Sequence, residues 1–550
     1  MQMKILPLAC ALLLAAPACD KAAPAPEKKT ATAAQENPLG DVSLLYNTDE
    51  NHKLVAESVQ EMWKRNLKVE IGLNNKEWKT YLQDVDTLSY DIARAGWIGD
   101  FNDPMTFLDM FESDNGNNDT GWKNAEYDKL LDQARAEVDP ARRLELLQQA
   151  EKLLMEEGPV IPIYYYTTNG LRAPALKGFE AHNRDIHLLK YMSLEKPAAD
   201  AKFVAGSKTE EPTFALAADP ETFDPAKMSG APEGRIAFNL FEGLMMPNVT
   251  TEGLDDPSQL VVYGAAESHE LSEDGKTYTF KLRSDAKWSD GSDLTAKDFA
   301  ESWKRVLTPG FAADYATMMY VIEGAEAYNK GEAKDWSSVG VKALDDKTLQ
   351  VTLNNPTPYF LELVAFYTFF PTPQAVIAEK GDAWTKPENI VTNGPYKLAS
   401  YQPQQELMLS KNEQYWDAAN LKIDRAKLRI IPDANARVTA YETGELHWVD
   451  ALPVAQITSL LTHPHYYNEP LLGTYYYRVN VSDPNSPLSD PRVRRALSMA
   501  IDRESLVNNT LNGLYKVATS YVSPMAGYES KTSTEYSIKK ARELLAEATK

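Results

Sequence analysis

Cysteine is almost absent from this chain of 550 residues. Cys10 and Cys19 are the only two, and nothing after position 19 can form a disulfide, a thiol nucleophile or a thiolate metal site. Histidine is scarce too, with seven in all, and the close pair His463 and His465 reads as part of a surface loop. Positive charge is in deficit, 57 Lys and Arg against 79 Asp and Glu for a net −22, so the basic face that nucleic-acid binding needs is missing. The apolar run from Ile5 to Ala18 is shorter than the roughly 20 residues that cross a bilayer as a helix. What is present is ordinary globular material: 43% hydrophobic, 10% aromatic and 25% charged residues. At roughly 150 residues per unit, the length predicts three to four structural units.

The first 19 residues (MQMKILPLACALLLAAPAC) read as an export signal, with Lys4, an apolar stretch and small residues before Cys19. The end of this stretch resembles a bacterial lipobox, which implies lipidation of Cys19. Plain cleavage after Ala18 is the alternative. Asp20 resembles the signal that keeps a lipoprotein at the inner membrane. Residues 20–40 are rich in Ala, Pro and Lys and read as a tether.

Beyond the tether, 42–46 predicts a strand, 54–65 a helix with Val55, Val59, Met62 and Trp63 on one face, and 68–73 a strand. A helical pair follows, the first built on Tyr127, Leu130, Leu131 and Ala134. The second is capped by Asp139 and Pro140, buries Leu144, Leu147, Leu153 and Leu154, and stops at Gly158. Residues 160–166 predict a strand, and 196–212 a linker. Farther on, Tyr278, Phe280 and Leu282 alternate as a strand, and Thr295 with Asp298 starts a helix buried through Phe299, Trp303 and Val306. Val341 and Ala343 face Leu349, Val351 and Leu353 in a hairpin. A final amphipathic helix runs from 537 to 550, with Ile538, Ala541, Leu544, Leu545 and Ala548 on one side. The whole predicts α/β with mixed sheets.

Several segments carry a family resemblance. They are 286–299 (AKWSDGSDLTAKDF), 393–398 (NGPYKL), 475–480 (YYYRVN) and 489–497 (SDPRVRRAL) with its continuation 499–503 (MAIDR). Residues 78–81 (WKTY) and 90–100 (YDIARAGWIGD) join them. Together they resemble the oligopeptide-binding receptors of bacterial ABC importers, solute-binding protein family 5. That resemblance implies a two-lobed periplasmic binding protein of type II, cluster C, with an additional subdomain. By the same resemblance the order of the segments implies a circular permutation relative to the family. The first lobe then comprises 168–195, 213–245 and 374–473, and the additional subdomain 246–373. The second lobe comprises 41–167 with 474–550, and the linker 196–212 joins the family's usual ends.

The resemblance implies short peptides as ligands, ABC-importer permease subunits as partners, a location in the periplasm with a lipid anchor in the inner membrane, and a monomer with no cofactor. Asp100 would take the peptide's ammonium and Arg94 its carboxylate. Trp97, Trp78, Tyr315, Tyr476 and Tyr166 would form aromatic walls. Gly96 would let the peptide backbone approach, and Ser229, Gly230 and Ala231 would form a facing loop. Some relatives have an acid at the position of Ser229 and a cysteine at that of Ile98, which bears on ligand length and preference. Each residue also has a plainer role available, Asp100 as a turn cap, Arg94 as an ion-pair partner and the aromatics as core. Alternative ligands are a metal chelate, haem or a cell-wall peptide, and a binding-dead rearrangement is a further reading. The Asn-rich loop 113–120 lacks the acidic spacing of a calcium loop. Two Ser-x-x-Lys strings, at Ser193 and Ser537, raise the possibility of an envelope enzyme, but no companion catalytic string accompanies them.

Overall fold

A computed structural model of the chain describes residues 37–179, 182–195, 205–249, 259–525 and 527–549. The leader, Cys19, most of the tether and residues 196–204 of the linker lie outside the described residues.

One 11-stranded mixed sheet organises the molecule. Its order is Tyr396–Gln402, Glu406–Lys411, Arg425–Ile430, Thr213–Leu216, Trp448–Asp450, Val160–Arg172, Tyr466–Val479, Ile92–Ile98, Ser43–Asn47 and Gly72–Lys76, with Lys516–Val517 added beside Val160–Arg172. The two central strands are the longest, at 13 and 14 residues, and every other strand of the sheet belongs to one side of them. They pair antiparallel from Tyr466↔Leu171 to Pro470↔Thr167, lose register, and resume at Thr474↔Tyr165. Such a break bends a ladder and increases its twist.

The expected strand 160–166 therefore continues six residues farther. Its extension, Thr-Thr-Asn-Gly-Leu-Arg, has a loop's composition, but burial and bonding override that propensity. Thr167 donates its hydroxyl to the Leu514 carbonyl at 2.6 Å, and Asn169 Oδ1 accepts from the Leu452 N–H at 3.2 Å. Gly170 is required, because a Cβ there would sit 2.3 Å from the Val449 carbonyl oxygen.

The helix Glu50–Leu67 is capped by Asp49, whose carboxylate accepts from the N–H groups of Asn51 and His52. Val55, Val59, Met62 and Trp63 are buried as their spacing predicts. Lys68, at φ 63, ends the helix, and this pushes the next strand from the expected 68–73 to Gly72–Lys76. The helices Ala125–Ala136 and Pro140–Glu157 form the predicted pair. In the second, Leu146, Leu147 and Leu154 are buried, whereas Leu144 and Leu153 only flank the core.

A separate four-stranded antiparallel sheet, in order Ala266–Leu271, Thr277–Leu282, Thr348–Thr352, Val341–Asp345, packs against the helix Ala296–Leu307. Thr295 and Asp298 form the anticipated capping box, and Phe299, Trp303 and Val306 are buried.

Both ends of the described chain meet in one core. The helix Ile538–Ala548 buries Ala541 and Leu545 among Val55, Trp63, Val493 and Leu497. Polar bonds fix the seam. Trp63 Nε1 donates to the Leu497 carbonyl at 2.9 Å, Asn66 Nδ2 to Ala500 at 2.8 Å, and Arg542 Nε to the Asn66 carbonyl at 2.6 Å. Among the described residues no helix is long and apolar enough to cross a membrane.

Candidate functional site

The strand Ile92–Ile98 carries the sequence ARAGW and pairs with Tyr466–Val479 along its full length. On its other edge, Ser43–Asn47 pairs only at Ile92 and Ala93. From Arg94 to Ile98 that edge has no neighbouring strand among the described residues. Asp91 O and Gly99 N bond toward Tyr466–Val479, so alternation turns the backbone groups of Arg94, Gly96 and Ile98 to the open side. The Arg94 carbonyl already accepts from the Tyr81 hydroxyl there.

Side-chain alternation splits the expected site residues between two faces. On one face, Arg94 Nη2 donates to the Tyr166 hydroxyl at 2.8 Å, and Nη1 to Asn47 Oδ1 at 3.4 Å. Its guanidinium lies 5.0 Å from the Tyr475 ring centre. Arg94 forms no ion pair among the described residues, and its Nε is buried without an acceptor. Burial opposes the charge, yet Tyr166, Tyr475 and Tyr81 offset this, and the guanidinium stays firmly protonated. Beside it, burial and then Arg94 push the His52 imidazole down to about 3.

The space over Gly96, expected to admit a ligand backbone, holds the Tyr166 hydroxyl, which lies 2.3 Å from where a Cβ would stand. The glycine thus makes room first for Tyr166. Trp78 opens the helix Trp78–Asp86 and stacks on Tyr81 at 5.6 Å, its Nε1 buried without an acceptor. Through Tyr81 it adjoins the Arg94 end of the open edge.

On the opposite face, Trp97 donates Nε1 to the Thr106 carbonyl at 2.7 Å and lies 6.1 Å from the ring of Tyr315. Tyr315 is buried against Phe366 and Tyr367. The expectation for Tyr476 needs correction: paired with Ala95, it is fully buried against Phe111 and Tyr521 and belongs to the core rather than to a wall.

Just past the strand, the Asp100 N–H donates to the Thr106 hydroxyl at 2.8 Å. The Asp100 carboxylate has no hydrogen bond or ion pair among the described residues. Burial and the neighbouring Asp109 push its pKa well above the ordinary carboxylate range, against the pull of Arg184. Ser229, Gly230 and Ala231 start the helix Ala231–Leu240. Ser229 lies against Asp314, and a Cβ at Gly230 would stand 2.2 Å from Glu233 Oε2, so that side chain would have to shift. Gly234, one turn on, borders Tyr367, which links this loop to Tyr315 and Asp100.

Sequence reasoning missed Tyr475, Tyr367, Arg184 and Glu362. Arg184 and Glu362 reach the Asp100 turn from distant parts of the chain, and no periodicity or motif marks either. A cavity of about 1020 Å³ lies elsewhere, between the Ala125–Glu157 helices and the four-stranded sheet, and contains none of the expected site residues. The Ser-x-x-Lys string at Ser537 is a helix cap, its hydroxyl accepting from the Lys540 N–H. His465 bonds the Tyr441 hydroxyl at 2.7 Å, and His463 lies 3.3 Å from Glu442.

A family model described as bacterial extracellular solute-binding proteins, family 5 Middle, matches residues 21–119 and 261–550. The oligopeptide-binding protein OppA of Bacillus subtilis (strain 168) is 36% identical over 342 residues, 60% of this chain and 61% of that protein. The periplasmic oligopeptide-binding protein OppA of Salmonella typhimurium is 37% identical over 340 residues, 60% of each chain. The chain thus spans about three fifths of the length of these curated relatives. Among solved structures, the murein tripeptide binding protein MppA of Escherichia coli superposes with a TM-score of 0.57 at 32% identity, covering 63% of this chain and 67% of that one. The substrate-binding domain of an oligopeptide ABC transporter from Bacillus anthracis str. Ames gives 0.54 at 32% identity, covering 62% and 67%.

Proposed function

The chain belongs to the bacterial extracellular solute-binding proteins of family 5, and from that premise we propose that it captures short peptides between two lobes and delivers them to an ABC importer. The observation that carries this reading is the open edge from Arg94 to Ile98, with a guanidinium that forms no ion pair among the described residues at one end and an unpaired carboxyl at the other. A peptide added there as a strand bonds the backbone groups of Gly96 and Ile98, which gives affinity independent of sequence. Its alternate side chains fall toward Tyr166 on one face and toward Trp97 and Tyr315 on the other. The ammonium meets Asp100 and the carboxylate meets Arg94. The lobes hinge at the register break of the two central strands, and ligand biases the closed form that a permease recognises. No covalent step is needed.

The lobes comprise 168–195, 213–245 and 374–473 on one side and 41–167 with 474–550 on the other, with 246–373 as the additional subdomain. The permuted order is supported by the two-piece family match and by relatives that align over only three fifths of either chain. The receptor works as a monomer in the periplasm, tethered through lipid on Cys19. The likeness to a murein tripeptide receptor favours one variant of the reading, a cell-wall peptide as ligand. Native mass spectrometry against a mixed library of tri- to pentapeptides and murein tripeptide tests all of this. We expect one peptide per protein monomer. Capture of no peptide would sink the proposal, and exclusive capture of murein tripeptide would select the variant.

A further inference from the structure

Arg184 lies in the stretch 182–185, and its side chain is 3% exposed. A guanidinium offers five N–H donors, and one buried this deeply ordinarily has a bidentate carboxylate partner. Here Nη1 donates to the Asp100 backbone carbonyl at 2.5 Å and lies 3.5 Å from Glu362 Oε2. Nε and Nη2 are buried and have no acceptor among the described residues. Glu362 cannot serve Arg184 fully, because its Oε2 also accepts from Asn102 N at 3.1 Å and Asn102 Nδ2 at 3.0 Å. Asn102 in turn accepts from Asn183 Nδ2 at 2.9 Å. Three separate stretches therefore converge on the turn that follows the open edge. Within that convergence the Asp100 carboxyl and the Arg184 guanidinium are neighbours through a backbone carbonyl, and the guanidinium keeps two donors unsatisfied among the described residues.

We propose that Arg184 is a specificity-determining residue of the amino-terminal subsite: its charge competes with the peptide ammonium for Asp100, and Glu362 sets the strength of that competition by drawing the guanidinium away. This rests on the assignment of Asp100 as the ammonium acceptor. Two like charges cannot share one carboxylate without repelling each other. Ammonium affinity therefore rises when Arg184 loses its charge and falls when Glu362 does. Burial lowers the pKa of Arg184, with Glu362 and Asp100 opposing, as expected of a cation without full compensation.

The test compares a tripeptide with its N-acetylated form by calorimetry, on the full chain and on Arg184→Met, Arg184→Lys and Glu362→Gln. Glutamine keeps the acceptor that holds Asn102, and lysine keeps the charge of position 184. In the parent protein the free peptide binds about tenfold tighter than the acetylated one. Arg184→Met widens that ratio several-fold, Arg184→Lys restores it, and Glu362→Gln brings it close to one, while affinity for the acetylated peptide stays put. If the substitutions change both affinities alike, Arg184 only braces the turn and the inference is overturned. A ratio of one in the parent protein instead removes Asp100 as the ammonium acceptor, and this inference falls with it. A parent ratio that none of the variants changes overturns the inference and leaves the Asp100 assignment standing.

Discussion

The two ends of the open edge hold their charges in opposite ways. At the Arg94 end a cation bonds neutral groups, Tyr166 and Asn47, beside Tyr475 and a neutral His52, with the Asp49 carboxylate beyond His52, and keeps its charge. At the Asp100 end an acid sits beside a second carboxyl, Asp109, and the Arg184 guanidinium with its Glu362 neighbour, and burial disfavours its ionised form. The first is a fixed electrostatic anchor. The second adjusts to what arrives, because an incoming ammonium changes the protonation of Asp100 and the balance around it. The contrast teaches that one receptor can fix a ligand's direction at one end and sense its chemistry at the other.

The largest effect should come from the fixed anchor. Arg94→Met leaves a peptide carboxylate buried and unpaired, a cost of about 3 kcal/mol, so affinity falls about a hundredfold. A C-terminally amidated peptide should bind the variant and the parent alike, and calorimetry with both peptides checks this. If the two peptides lose affinity equally, the anchor role is wrong. Next comes Asp100→Asn, for which a lost charge-assisted bond of about 1.5 to 3 kcal/mol lowers affinity for a free-amino peptide about tenfold to a hundredfold. Its melting temperature should not fall, since the parent carboxyl is unpaired. A clear fall would mean that Asp100 is structural.

Much of this was legible in the sequence, and the failures share a cause. Helices with strong periodicity and caps, such as Glu50–Leu67 and Ala296–Leu307, were predictable because apolar spacing and capping residues agree. The site strand was legible through its ARAGW string. Tyr476 was misjudged because three consecutive tyrosines give no phase, and only the pairing with Ile92–Ile98 decides which ring faces which side. The extended run from Thr167 to Arg172 was missed because its composition signals a loop, whereas its strand conformation comes from partners far along the chain. Arg184 and Glu362 were invisible for the same reason, as lone charged residues that gain meaning only when distant stretches converge on one turn.

Titration should separate the two ends by the sign of their slopes. Burial first, and then neighbouring acids, push the Asp109 carboxyl up to about 8. The folded state then binds its proton more tightly than the unfolded state, so stability falls as pH rises from about 4 to about 8. His52, held down at about 3, does the reverse: the unfolded chain takes up the proton first, so stability rises with pH from about 3 to about 6.5. The contributions oppose each other below neutrality, and above it only the loss from Asp109 remains. Thermal melts of peptide-free protein should show Asp109→Asn removing the decline near pH 7 to 8, and His52→Gln removing the rise on the acid side. Identical profiles for the two variants would erase the distinction between the ends.

The smallest effect should come from the middle of the edge, where Gly96→Ala strikes one end only. A Cβ at position 96 would stand 2.3 Å from the Tyr166 hydroxyl, so that side chain must shift, and with it the 2.8 Å bond to Arg94 Nη2. Nothing at the Asp100 end touches the new methyl group. Overpacking of this kind costs about 1 kcal/mol or more of stability, and the loosened Arg94 weakens peptide binding by about threefold to tenfold. The loss should vanish for an amidated peptide and persist for an N-acetylated one, because only the carboxylate anchor has moved. Were the acetylated and amidated peptides to lose affinity equally, the two ends would be coupled through the strand, and their separation into a fixed anchor and an adjustable sensor would fail.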